Sequence, residues 1–456
     1  MDLTISNEII LSGMQPETRQ AIRGRLTMPN PKHREAERMG RYTANIPEYL
    51  KFYTETASGL ICPRGAAGQI FKICQNHRED ISVIDQRRTL PPVDFDFQGT
   101  LRPYQIPAVK GSLNHSFGLL EAPTGSGKTA MALYMIAERR QPVLICVHTR
   151  ELLNQWMDRI NQFLGIPWDE IGIIGNGKFR IGDRITVAMV QTLYKRAAEV
   201  SPHVGYIILD ECHKAPAMQY IQAVEQFDCK YMSGLTATPW RRDGLTNVIH
   251  WHIGDVIGKI QKAELVENGN LCKGVVRWVK TDFETNIDAS EQYSRALASL
   301  VDDEDRNKLI ARTVAENNGT GISLILSDRK AHCWTLADIL SDRHGIEAAV
   351  LTGSTSNPER QKILESLKAG KCRYLIATGQ LVGEGFDLPA ISSMFLTTPI
   401  KFSGRVIQYI GRALRPAPGK EKAYIFDFVD HLNPVFRASA KKRFYTYQHE
   451  GIKNEG

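Results

Sequence analysis

Between about residues 101 and 260 the chain alternates short apolar runs with longer amphipathic stretches. The runs Phe117–Ala122, Val143–Val147, Thr186–Val190, Tyr206–Leu209 and Tyr231–Leu235 predict strands, and Lys128–Arg140 and Thr149–Leu164 predict helices between them. Apolar strands separated by helical segments of about 10–15 residues argue for a parallel sheet covered by helices. The rhythm returns after about residue 290, with strands expected at Gly321–Leu326, Ala348–Leu351, Tyr374–Ala377, Ser392–Leu396 and Ala423–Phe426. The stretch between, roughly 243–290, has weaker periodicity and reads as a boundary with some strand content. Residues 1–95 mix charge with aromatics such as Tyr49, Phe52 and Tyr53. They end near Leu90-Pro91-Pro92-Val93, whose paired prolines favour an extended linker. The pattern predicts an α/β protein in four parts: a small α+β accessory block over 1–95, a first α/β domain over 96–260, a boundary segment over 261–290, and a second α/β domain over 291–456 ending in a helical tail.

Length and composition agree with this division. The 456 residues suffice for about three domains. With 42% hydrophobic and 23% charged residues, a disordered or fibrous chain is excluded. Lys and Arg outnumber Asp and Glu by 57 to 50, a mild surplus that permits a polyanionic partner without demanding one. The eight cysteines form no C-x-x-C pair, which predicts reduced thiols and no zinc ribbon or iron–sulfur cluster. Met1-Asp2-Leu3-Thr4-Ile5-Ser6 lacks the regions of a signal peptide, and no apolar run approaches the roughly 18 residues of a membrane span. The expectation is a soluble cytoplasmic protein with no membrane partner.

Two motifs carry chemistry. The strand ending at Ala122 runs into Pro123-Thr124-Gly125-Ser126-Gly127-Lys128-Thr129 and then a helix, the context of a phosphate-binding loop. Gly125 and Gly127 let backbone N–H groups approach a phosphate, and the helix N-terminus adds free donors. Lys128 supplies charge to the outer phosphates, and the Thr129 hydroxyl can ligate Mg²⁺. About 80 residues later, Tyr206-Ile207-Ile208-Leu209 leads into Asp210-Glu211-Cys212-His213. An apolar strand that ends in adjacent carboxylates sets both at the sheet edge where nucleotides bind. There Asp210 would hold Mg²⁺, and Glu211 would orient and deprotonate water. ATP and Mg²⁺ are the expected ligands.

With these two motifs in place, the chain resembles the superfamily 2 helicases and translocases over residues 101 to about 416, some 70% of its length. Ala122 stands where many phosphate loops have glycine, a form common in helicases. The resemblance implies two tandem RecA-like motor domains. It assigns adenine contact to Leu101-Arg102-Pro103-Tyr104-Gln105, with Arg102 and Gln105 at the nucleotide. His148-Thr149-Arg150-Glu151-Leu152 resembles motif Ia, and Val190-Gln191-Thr192 resembles motif Ic. Arg150, Gln191 and Thr192 are thereby implied nucleic-acid contacts. Thr236-Ala237-Thr238-Pro239 resembles motif III, so Thr236 and Thr238, with His213 of the acidic motif, are implied in coupling hydrolysis to movement. Leu324-Ile325-Leu326-Ser327 fits motif IV. Ala377-Thr378-Gly379 through Glu384-Gly385-Phe386-Asp387 resembles motif V, implying Thr378 at nucleic acid and Gly385 and Asp387 at the nucleotide. Gln408-Tyr409-Ile410-Gly411-Arg412-Ala413-Leu414-Arg415 resembles motif VI, with Gln408 in coupling. Arg412 and Arg415, one helical turn apart, are implied donors to the phosphoryl group in its transition state.

Details of these motifs resemble the DNA-directed branch, with its repair helicases, restriction translocase subunits and phage recombination helicases. They are Asp-Glu-Cys-His in the acidic motif, Thr-Ala-Thr-Pro in motif III, and Gln408 opening motif VI. Trp240-Arg241-Arg242-Asp243-Gly244 is similar to an Arg-acidic element that contributes to strand separation in that branch, the alternative being a solvated charged turn. Lys178 and Arg180 are either backbone contacts or solvated hairpin charges. Lys441-Lys442-Arg443-Phe444-Tyr445-Thr446-Tyr447 suits nucleic-acid binding, but better suits an amphipathic helix packing Phe444 and Tyr447 on the second domain. The segment Ile46–Leu50 and Leu60–Gly65 is similar to small phage helicases that remodel forks and four-way junctions; Phe52, Tyr53 and Arg64 are candidates for a junction surface, although core packing better suits the two aromatics. The resemblance therefore implies an ATP-dependent DNA helicase or translocase acting, as a monomer, on forked or branched DNA. The alternatives are a duplex translocase that leaves strands paired, a retired DNA-binding scaffold, and an RNA helicase.

Overall fold

The computed structural model describes residues 1–455 except 213–216, 238–243, 318–320, 380–390, 401–408, 412 and 415–419. Residues 1–260, apart from the loop tip 124–126, form one compact unit, and residues 261–456 form another.

The first unit opens with β1 (Asp2–Ile5) and β2 (Glu8–Ser12), followed by a small ribbon of β3 (Thr27–Pro29) and β4 (Tyr49–Lys51). Next come β5 (Thr54–Glu55), β6 (Gly59–Pro63) and β7 (Ser82–Asp85). The order β5-β6-β2-β1-β7 makes a five-stranded sheet, antiparallel except for the β1–β7 pair. Alternation along β2 buries Ile9 and Leu11 and exposes Ile10, so one face is core and the other is open. Helices Pro16–Arg25 and Ala67–Asn76 supply Ile22, Ile70 and Cys74 to that core, which also takes Val248 and Trp251 from helix Thr246–Ile253. The N-terminal block thus shares a hydrophobic core with the α/β part of its unit. Arg64, 2% exposed, adds a polar tie by donating to the Cys229 carbonyl at 2.7 Å. That burial removes Arg64 from any junction surface, and Phe52 packs on Trp251 with ring centroids 5.1 Å apart.

The larger sheet of this unit is built from β8 (Phe117–Glu121), β9 (Val143–Val147), β10 (Gly172–Gly175), β11 (Lys178–Arg180), β12 (Ile185–Met189), β13 (Tyr206–Asp210), β14 (Tyr231–Thr236) and β15 (Val256–Lys259). Its order is β11-β10-β12-β9-β13-β14-β8-β15, and every pairing is parallel except β10–β11. The central strands are buried on both faces, which is why they read as unbroken apolar runs.

The second unit carries β16 (Lys273–Thr281), β17 (Ile322–Ser327), β18 (Ala348–Leu351), β19 (Tyr374–Thr378), β20 (Ile391–Leu396), β21 (Lys422–Asp430) and β22 (Lys453–Asn454). All seven are parallel, in the order β18-β19-β17-β20-β21-β16-β22. The stretch 261–290, expected as a boundary segment, supplies β16, which pairs with β21 over nine residues. Its apolar signal is weak because only the two-residue β22 covers its outer side, leaving much of it half-exposed. The helix Pro434–His449 packs Tyr447 inward and half-buried Phe444 beside it, both against Trp278, while Tyr445 stays exposed. The larger sheet of the first unit and the sheet of the second, each with its helices, form RecA-like, predominantly parallel α/β domains. No helix among the described residues is long and apolar enough to cross a membrane.

Candidate active site

The register of three neighbouring strands builds the site. β13, β14 and β8 are adjacent, and their carboxyl ends carry Asp210, Thr236 and the loop after Glu121. Thr236, fully buried, offers its carbonyl to the Ala122 N–H at 2.9 Å, and Cys212 N–H reaches the Leu235 carbonyl at 3.3 Å. The start of motif III therefore lies between the phosphate loop and the acidic pair, joined to both by backbone.

The loop Pro123-Thr124-Gly125-Ser126-Gly127 turns through two left-handed residues, Gly125 at φ 90° and Gly127 at φ 83°. An L side chain pays a steric cost there, and a Cβ on Gly127 would lie 2.5 Å from the Gln105 side-chain nitrogen. Gly127 then caps helix Lys128–Arg139, whose free N–H groups face the loop. Lys128 Nζ donates to the carbonyls of Ala122 at 2.9 Å and Pro123 at 3.4 Å, holding the ammonium at the loop. Thr129 is one residue on, half-buried at the helix start. Gln105 is buried, accepts from the Arg102 N–H at 2.8 Å and presents its amide nitrogen to Gly127. Arg102 donates to the Tyr104 hydroxyl at 3.3 Å.

Asp210 is 7% exposed. One of its carboxylate oxygens accepts from the Glu211 N–H and the other from the Trp156 indole N–H, both at 2.9 Å. Burial, and then the neighbouring Glu211 charge, push the Asp210 carboxyl up to about 6, while the Trp156 N–H and the Lys128 ammonium act the other way. Glu211 sits at φ 45°, a strained backbone for a non-glycine residue and of the kind that collects at functional sites. Two adjacent carboxylates, with a threonine hydroxyl at the phosphate loop, make an oxygen-donor set suited to a hard divalent cation.

The expected nucleic-acid residues take several positions. Arg150 is exposed in the first turn of helix Arg150–Leu164, which Thr149 caps through the Leu152 N–H at 3.3 Å. Gln191 donates to the His148 carbonyl at 2.9 Å, joining motif Ic to motif Ia. Thr192 is half-buried beside it, and Thr378 is half-buried at the end of β19. Arg180 donates to the carbonyls of Asp169 and Ile171, so it braces its own loop. His213, Thr238, Arg241, Arg242, Gly385, Asp387, Gln408, Arg412 and Arg415 lie outside the described residues.

Trp156 escaped the sequence reading. It belongs to the buried stripe Leu153, Trp156, Met157, Ile160 and Leu164, so its spacing signals core alone. The available hint was chemical: a buried indole N–H needs an acceptor.

A phosphate loop and an acidic pair at the ends of two strands with one strand between them, in a chain with two parallel α/β sheets, define a P-loop ATPase of the two-domain kind. The family model of the type III restriction enzyme res subunit matches residues 98–241, and that of the helicase conserved C-terminal domain matches residues 305–417. Together they cover just over half of the chain. The chain belongs to the superfamily 2 helicases, related to their phage, restriction and repair branches, and is an ATP-dependent nucleic-acid helicase. It is 25% identical over 372 residues to a protein of Acanthamoeba polyphaga mimivirus named as an ATP-dependent RNA helicase (78% of this chain, 69% of that one). It is 27% identical over 379 residues to the DNA 3'-5' translocase XPB2 of Sulfurisphaera tokodaii (75% and 84%). It is 22% identical over 429 residues to the ATP-dependent DNA helicase UvsW of Enterobacteria phage T4 (86% and 84%).

Proposed function

We propose that this ATPase works on DNA, and that its output is unwinding or branch migration of forked and four-way DNA in recombination, repair or replication restart. The observation that carries the hydrolytic part is the pair of buried Asp210 and half-buried Glu211 at the end of the strand next but one to the phosphate-loop strand. Two relatives that match most of both chains are named for DNA, which supports the choice of nucleic acid. The mimivirus relative favours RNA as the second reading.

In this reading Pro123–Thr129 cradle the ATP phosphates, with Lys128 neutralising their charge, and Arg102 and Gln105 contact the adenine. Glu211 orients the attacking water and accepts its proton. Arg412 and Arg415 donate to the phosphoryl oxygens as charge develops, and Gly385 and Asp387 line the nucleotide. Thr129 and Asp210 would hold Mg²⁺, which when bound neutralises phosphate charge. His213, Thr236, Thr238 and Gln408 couple hydrolysis to movement. Arg150, Gln191, Thr192 and Thr378 grip the nucleic-acid backbone, and Arg241 and Arg242 separate strands. Residues 1–95 read the branch. Their shared core with the α/β part of the unit suits a reader that transmits force instead of trailing on a tether.

The test pairs hydrolysis with strand displacement. Lys128→Ala and Glu211→Gln are expected to lower nucleic-acid-stimulated ATPase by about 100-fold or more with the fold intact, and to abolish fork unwinding. Near-normal turnover in either variant overturns the mechanism. Hydrolysis on linear duplex with forks left intact turns the reading to a translocase that leaves strands paired.

A further inference from the structure

Strand β20 ends at Leu396, and the next four residues, Thr397–Ile400, are buried. They lead in sequence to Gln408, Arg412 and Arg415. Buried carbonyls require partners, and all four of these have one. Arg306 donates to Thr397 O at 2.8 Å, and Ile400 N–H donates to Thr398 O at 2.8 Å. The Tyr293 hydroxyl donates to Pro399 O at 3.2 Å, and Arg443 donates to Ile400 O at 3.3 Å. Three of the four donors are side chains from three separate helices: Tyr293–Val301, Glu304–Glu316 and Pro434–His449.

Both arginines are anchored from behind by β21. Asp430 takes Arg306 Nε at 2.6 Å and the Thr281 hydroxyl at 2.7 Å. Asp427 takes Arg443 through two N–H groups, at 2.7 and 2.6 Å, and the Tyr447 hydroxyl at 2.7 Å. None of the four charged side chains is more than 2% exposed. A buried ion pair roughly breaks even in stability against apolar residues of the same volume. What the pair does that an apolar residue cannot is lock a planar guanidinium with an N–H left over for a carbonyl. The described part of motif VI is tied down as well, since the Tyr409 hydroxyl donates to the Gly379 carbonyl and Cys272 N–H to the Leu414 carbonyl at 2.8 Å.

We propose that Tyr293, Arg306 and Arg443 are positioning residues for ATP hydrolysis, fixing the exit of β20, the segment that leads in sequence to the arginines of motif VI. The proposal rests on the reading of Arg412 as a donor to the phosphoryl group. The C-terminal helix, read from sequence as a basic and aromatic tail, then serves the ATPase through Arg443.

The test uses Tyr293→Phe, which removes one half-buried hydroxyl, and Arg443→Lys, which keeps the charge beside Asp427 but removes the fork. The expected result for Tyr293→Phe is a fall of about tenfold in kcat, with the KM for ATP, the nucleic-acid Kd and the melting temperature nearly unchanged. Arg443→Lys falls further. In an Arg412→Ala background, Tyr293→Phe is expected to change the residual rate by less than about twofold, because the residue it acts through is gone. Full kcat in Tyr293→Phe, or an undiminished tenfold loss in the Arg412→Ala background, overturns the proposal. Should Arg443→Lys fail to fold, Tyr293→Phe still decides. Arg412→Ala at the wild-type rate is a separate result, which removes the reading of motif VI and the proposal with it.

Discussion

The Trp156–Asp210 hydrogen bond can be tested by Trp156→Phe, which keeps most of the apolar body and removes only the N–H and the smaller ring. Trp156 is 2% and Asp210 7% exposed, and their contact is 2.9 Å. A hydrogen bond to a charged acceptor contributes about 1.5–3 kcal/mol. If that orientation matters fully in the transition state, its loss lowers kcat by about 10- to 150-fold at about 1.4 kcal/mol per decade. The assay is nucleic-acid-stimulated ATPase at saturating ATP, with a Mg²⁺ titration and an unfolding curve beside it. The expected outcome is a drop in kcat in that range and half-saturation at higher Mg²⁺, with stability lowered by about 2–4 kcal/mol, the lost hydrogen bond adding to about 1 kcal/mol for the smaller ring. Trp156 lies fewer than two turns from Arg150 on the same helix, so the stimulated rate is expected to suffer more than the unstimulated one. A stimulated rate and Mg²⁺ half-saturation within about twofold of wild type, in a folded variant, refute the reasoning.

Two further predictions rest on particular geometry. Gly127→Ala forces a side chain into a left-handed conformation and against Gln105, so the KM for ATP is expected to rise about tenfold or more and stability to fall by about 1–2 kcal/mol, read by steady-state kinetics and denaturant unfolding. His332 bridges Ser327 and Asn307 at 2.9 Å each, and burial, with the Arg306 charge second, holds it down to about 3. A histidine depressed below its unfolded value of about 6.5 contributes stability that is full above that pH and is lost as pH falls toward about 3. Melting temperature measured from pH 7 to pH 4 is expected to fall less steeply in His332→Gln than in wild type, by up to about one proton's worth of slope, and identical slopes contradict the assignment.

The legibility of this chain follows burial. Strands buried on both faces, such as β9 and β13, are unbroken apolar runs that are visible in the sequence. Strands at or near a sheet edge, such as β11 and β16, alternate or stay half-exposed and show little. Gly125, Gly127, Lys128 and the Asp210–Glu211 pair were legible because local backbone and strand ends dictate their chemistry. Trp156 was not, since its spacing is that of a core residue. Arg443 is not legible: within Lys441-Lys442-Arg443 it belongs to the charged part of a segment that suits either nucleic-acid binding or an amphipathic helix, and only the fold brings Asp427 of β21 to it. Arg64 is illegible in the same way, because its partners are carbonyls at Ser6 and Cys229, far away in sequence.

In the proposed function, branched DNA drives ATP hydrolysis. The most direct measurement is the ATPase rate at fixed salt with no nucleic acid, single-stranded DNA, linear duplex, a replication fork, a four-way junction and RNA, because phosphate contacts make binding steeply salt-dependent. The greatest stimulation is expected from the fork or the four-way junction. Equal stimulation by plain duplex, or stronger stimulation by RNA, contradicts it.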